Sequence, residues 1–73
     1  MAIYFSRHAR RQMKWRKLSE GEALAALSRP DSEEKSIGDR INAYKVLDDR
    51  QLKVIYRRQA SDIIVITVIE KER

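Results

Sequence analysis

Seventy-three residues allow one domain, residues 1–73, with one small core, and a chain this short buries only about 60% of its unfolded surface. It has no cysteine and one histidine, which excludes a disulfide framework, a thiolate metal site and a His-rich site, so no metal and no other cofactor is expected. Sixteen basic against eleven acidic residues leave a net charge of +5, and no apolar run approaches the roughly 20 residues of a membrane helix. A cytoplasmic chain with no membrane contact is expected, its partner RNA or an acidic protein.

Residues 1–5 read as a short extended arm or edge strand, too short for the apolar core of a signal peptide. Ser6 is placed to cap a helix over residues 7–17, since its hydroxyl can accept an orphan backbone N–H. Ala9, Met13 and Arg16 follow helical spacing and share a stripe, while His8, Gln12 and Trp15 form the neighbouring one. Leu18 and Ser19 break this helix and start the next. Ser19-Glu20-Gly21-Glu22 is a capping-box pattern, with Leu18 and Ala23 spaced as a hydrophobic staple. The second helix is expected over residues 20–27, with Ala23, Leu24 and Leu27 toward the core, and Pro30 stops it.

The remainder changes to strand period. Strands are expected over residues 33–37, 41–47, 52–57 and 63–69, with turns at Gly38-Asp39 and Asp48-Asp49 and a loop over 58–61. The last strand is β-branched almost throughout, as expected of one covered on both faces. Helices first and strands afterwards indicate an α+β fold: two N-terminal helices packed on one face of a three- to four-stranded antiparallel sheet.

Side chains alternate across a sheet, so strand parity divides the surfaces. With an even loop at Asp48-Asp49, Ile41, Ala43, Lys45 and Leu47 share a face with Leu52, Val54 and Tyr56, which suits the helices. The opposite face collects Arg40, Asn42, Tyr44 and Val46 with Lys53, Ile55 and Arg57. Cations for phosphate beside a ring for base stacking are what RNA contacts require. An ordinary solvated face is the alternative, and a β-bulge would exchange the two faces.

A second basic surface is the first helix. No acid precedes Glu20, whereas Arg7, Arg10, Arg11, Lys14, Arg16 and Lys17 all do. Such a block can follow a phosphate backbone or dock on an acidic protein. It is also what a solvated helix carries. No spacing marks a metal site, a nucleophilic triad or a phosphate-binding glycine loop. Metal-free cleavage of RNA by its own 2′-OH needs a base, an acid and cations around the phosphate. His8, Tyr44, Tyr56, Lys53, Arg16, Arg40 and Arg57 supply those side-chain types. Tyr56 is placed in the core by parity, and Trp15 is either a core-edge aromatic or a partner contact.

Ser6-Arg7-His8-Ala9, Met13, Arg16, Leu18-Ser19 and Pro30-Asp31 resemble a family of small bacterial domains of unknown function. Arg40, Tyr44-Lys45, the run from Leu52 to Tyr56 and the run from Ile64 to Val68 extend the resemblance. It covers nearly the whole chain. Gln12, Trp15 and Asp48-Asp49 depart from the family's usual Arg, charged residue and Gly. The family is similar in size and element order to the RelE/ParE/BrnT toxins, which are encoded beside an antitoxin and include metal-independent ribonucleases. The resemblance implies an mRNA-interferase-type toxin neutralised by a cognate antitoxin. His8, Arg16, Arg40 and Tyr44 would be catalytic, and Arg7, Arg11, Lys53 and Arg57 would hold nucleic acid. The alternatives are a non-catalytic basic module or a ParE-like inhibitor of a protein target.

Overall fold

A computed structural model describes residues 2–72, Glu72 by its backbone alone. Ser6 caps the first helix as expected. Its Oγ accepts the Ala9 N–H at 3.0 Å, leaving Arg7–Trp15 as α1 behind the short strand β1 (Ile3–Phe5). Arg16 ends α1 and Lys17 turns left-handed, with φ 57°. The Leu18 N–H donates to the Met13 carbonyl at 2.8 Å and the Lys17 N–H to the Lys14 carbonyl at 3.3 Å. These two bonds make a Schellman stop, sealed by the buried Leu18 and Met13 side chains. Glycine ordinarily holds the left-handed position because a Cβ there is strained. Lys17→Gly is therefore expected to stabilise the fold by about 1 kcal/mol. A thermal melt checks it, and an unchanged or lowered midpoint counts against the assigned strain.

Ser19 opens α2 (Glu20–Ser28) with both capping-box bonds present: the Glu22 N–H reaches Ser19 Oγ at 3.1 Å, and Glu22 Oε1 accepts the Ser19 N–H at 3.0 Å. That backbone N–H, and after it the Arg50 guanidinium, hold the Glu22 carboxyl below its ordinary value. Arg50 bridges Glu22 at 2.7 Å and Glu70 at 3.0 Å and so ties α2 to the sheet. The buried residues of α2 are Ala23 and Ala26, while Leu27 is half-buried and Leu24 is exposed. Leu24 was expected in the core. Ala26 is buried in its stead, beside the expected Ala23.

The strands are β2 (Ser32–Lys35), β3 (Arg40–Leu47), β4 (Arg50–Gln59) and β5 (Asp62–Glu72). With β1 they form one five-stranded mixed sheet in the order β1-β5-β4-β3-β2. The expected three- to four-stranded antiparallel sheet is thus incorrect, although the chain is α+β. The first segment is the edge strand that the sequence allowed, not a free arm. It pairs parallel with β5, Ile3 beside Ile63 and Phe5 beside Val65. Three residues carry too little pattern to announce a partner sixty positions away.

Both helices lie on the face that carries Ala43, Leu52, Val54, Tyr56, Ile63, Val65 and Val68. The β3–β4 register is Leu47 opposite Arg50, so the Asp48-Asp49 loop has two residues and the predicted parity holds. Asp48 takes the left-handed conformation usually given to glycine, which aspartate tolerates. A bulge does occur, but in β5. Ile55 opposes Thr67 and Tyr56 opposes Val65, leaving Ile66 extra. The bulge lets Ile63, Val65 and Val68 all face the helices. It also frees the Ile66 carbonyl, which accepts the Ser6 hydroxyl at 2.7 Å. β5 is covered on one face only, since Ile64 and Ile66 are half-buried and Ile69 is exposed.

Candidate nucleic-acid interface

The uncovered face of the sheet is ordered in rows by the strand registers. Tyr4, Ile64, Arg57 and Arg40 make one row, and Thr67, Ile55, Asn42 and Glu34 the next. Ile69, Lys53, Tyr44 and Ser32 follow, and then Lys71, Gln51 and Val46. Arg40, Tyr44, Lys53 and Arg57 therefore share one surface, as parity requires.

Two cross-strand pairs dominate it. The Ser36 N–H donates to the Arg40 carbonyl at 2.9 Å, so the Arg40 backbone points away from β4. Arg40 and Arg57 are thus a non-hydrogen-bonded pair, the arrangement that brings opposed side chains closest. Like charges placed so are destabilising. The Asp31 N–H donates to the Tyr44 carbonyl at 2.7 Å, which puts Tyr44 and Lys53 in the same close relation. Lys53 Nζ lies 5.8 Å from the Tyr44 ring centroid. Among the described residues, no carboxylate lies within 4.0 Å of the Arg40, Lys53 or Arg57 head groups.

The tyrosines are held by acids from the edge strand β2. The Tyr44 hydroxyl donates to Glu34 at 3.0 Å, and that bond raises the phenol's pKa. The Tyr56 hydroxyl donates to Glu33 at 2.6 Å, and burial first, then Glu33, raises its pKa. Both phenols are held in the protonated form. Asn42, in the middle of the open face, is 7% exposed, and its Oδ1 has no hydrogen-bond partner among the described residues. A buried orphan acceptor costs about 1–3 kcal/mol. Charge repulsion and an orphan acceptor on one surface are costs that a purely structural face avoids.

His8, Arg7, Arg11 and Arg16 stand elsewhere. All four are exposed on α1 or at its end, in the layer that covers the other face. From α1 over β5, reaching Tyr44 on β3 means crossing the sheet and two strand spacings of about 4.8 Å each. The structure does not bring His8 and Arg16 together with Arg40 and Tyr44. On α1, Arg10 pairs with Glu20 at 3.2 Å, whereas Arg7, Arg11, Lys14, Arg16 and Lys17 have no carboxylate within 4.0 Å among the described residues. Trp15 is 76% exposed, with the Arg16 guanidinium 6.0 Å from its ring. Among the described residues no three His, Cys, Asp or Glu side chains group to hold a metal ion. No helix among them is long and apolar enough to cross a membrane.

Residues 5–70 match the family model described as Domain of unknown function (DUF4258). The chain belongs to this family. No curated protein and no solved structure matches it. The match reaches the domain family and goes no further toward the RelE, ParE or BrnT toxins. In this DUF4258 domain the sequence reading located the open-face cations, because a two-residue hairpin transmits parity without loss. It missed Glu33 and Glu34, the tyrosine partners, because the β2–β3 register was not assigned. The loop expected over 58–61 is shorter, since β4 continues to Gln59.

Proposed function

We propose that this domain binds single-stranded RNA in the cytoplasm, laid across the open sheet face. The opposed Arg40–Arg57 pair carries the reading, because two unneutralised guanidiniums side by side become favourable when a phosphate lies between them. Lys53 supplies a further cation, and the Tyr44 ring offers a stacking surface once the flexible lysine moves off it. An open sheet face suits an unpaired strand better than a duplex. Binding of a labelled RNA oligonucleotide is expected to weaken with salt. Lys53→Ala is expected to lower the slope of log affinity against log salt by about 0.7, the contribution of one phosphate contact on a single strand. An unchanged slope, or equal binding of duplex RNA, argues against this face.

A second reading rests on Trp15. An exposed tryptophan among unpaired cations is the composition of an anchor for an acidic protein. A cognate antitoxin on α1, leaving the sheet face for RNA, unites the toxin reading with both surfaces. Cleavage is not part of this proposal, because an acid or base must be within hydrogen-bond reach of the substrate and His8 lies in the other layer. Co-expression with the product of the neighbouring reading frame tests the partner: a complex that survives both Trp15→Ala and Arg16→Ala does not use this surface.

A further inference from the structure

Beside the turn between β2 and β3, at one end of the sheet, lies an open depression of about 370 Å³ lined by Lys35, Ser36, Gly38, Asp39, Arg40, Ile41 and Arg58. Gly38 takes φ +73° there, and Ser36 closes the turn through its bond to the Arg40 carbonyl. Lys35 and Arg58 come from the helix-facing side of their strands, as the register with Ile41 and Tyr56 shows, whereas Arg40 belongs to the open face. At the sheet's end, beyond the helices, cations from both faces meet. Among the described residues none of the three has a carboxylate within 4.0 Å. Glu33 and Glu34 nearby keep their negative charge, since the phenols that bond them are neutral, but neither lines the depression.

We propose that this depression receives the terminal phosphate monoester of the RNA bound on the open face. The inference rests on that reading of the face. Three cations and one carboxylate, Asp39, leave the lining at +2 (3 − 1). That balances a monoester, which carries about −1.5 to −2 at neutral pH, better than an internal diester with its single charge. Arg40 belongs to both surfaces. A strand leaving the Tyr44–Lys53 row therefore reaches the depression after four residues of β3, about 13 Å. The sheet thus recognises an RNA end, and the depression distinguishes a phosphorylated end from a hydroxyl one.

Three oligonucleotides of one sequence test this, with a 5′-phosphate, with a 3′-phosphate, and with hydroxyls at both ends. One phosphorylated form is expected to bind about tenfold tighter than the hydroxyl form, the gain of one charge-assisted contact. Arg58→Ala is expected to erase that preference while leaving the affinity for the hydroxyl form unchanged. Equal binding of all three, or a preference that survives both Arg58→Ala and Lys35→Ala, overturns the proposal. Amide shifts with inorganic phosphate probe the depression without RNA. Shifts at Ser36, Gly38 and Arg58 support the site even where no oligonucleotide binds, an outcome that rejects only the open-face reading. Shifts spread over α1 instead reject the site.

Discussion

Arg40→Glu is expected to cost at least tenfold in RNA affinity while making the protein more stable. The substitution converts an opposed like-charge pair into an opposed Glu–Arg pair. Such a cross-strand change is worth about 0.2–1 kcal/mol. In a domain of this size 1 kcal/mol moves the melting midpoint by about 4–8 °C, so a rise of a few degrees is expected. The same carboxylate repels phosphate and occupies Arg57, which removes two contacts and lowers the salt slope by more than the single Lys53→Ala change. The opposite signs make the result decisive, because a variant that melts higher has not lost binding through misfolding. A higher midpoint with unchanged RNA affinity would show that the pair serves something other than this ligand. A lower midpoint would show that the two guanidiniums do not repel as their register implies.

Leu52→Ala has the largest expected effect on the fold. Leu52 is fully buried in β4, the strand between β5 and β3, and lies beneath α2. Removing its isobutyl group leaves a cavity in the core cluster, where Leu52 has no exposure. Such truncations cost about 2–5 kcal/mol. A 73-residue domain has about 4–11 kcal/mol in all, at roughly 0.05–0.15 kcal/mol per residue. The variant is therefore expected to be largely unfolded at physiological temperature, with urea denaturation monitored by circular dichroism as the check. Ile37→Ala, at a 92% exposed position in the β2–β3 turn, is the matched control and is expected to leave stability unchanged. A loss under about 1 kcal/mol for Leu52→Ala would remove that residue from the core described above.

Local signals were the legible ones. Ser6 caps α1 and the Ser19–Glu22 box opens α2, because each depends on groups three residues apart, and Leu18 and Ala23, which flank that box, are both buried. The hairpin parity that gathers Arg40, Tyr44, Lys53 and Arg57 was readable for the same reason, its loop being two residues long. Signals that need a distant partner were not. The three residues of β1 find their place only against β5, and the bulge at Ile66 answers to Ser6 across the chain. Leu24 looked like a core residue by spacing, yet Ala26 took that place, because spacing alone leaves the direction of the helix's packing face open.

Charge, caps and alternation therefore settle which segments become helix or strand and which cations share a face, since these follow from covalent neighbours and the fixed period of a strand. The separation of His8 and Arg16 from Arg40 and Tyr44 was decided by packing. Apolar stripes on both helices seek the same dry side of the sheet, and that choice carries the basic residues of α1 away from those of β3 and β4. The meeting of Lys35, Arg40 and Arg58 is likewise tertiary, because residues from opposite faces of a sheet converge only where the strands end and no helix covers them.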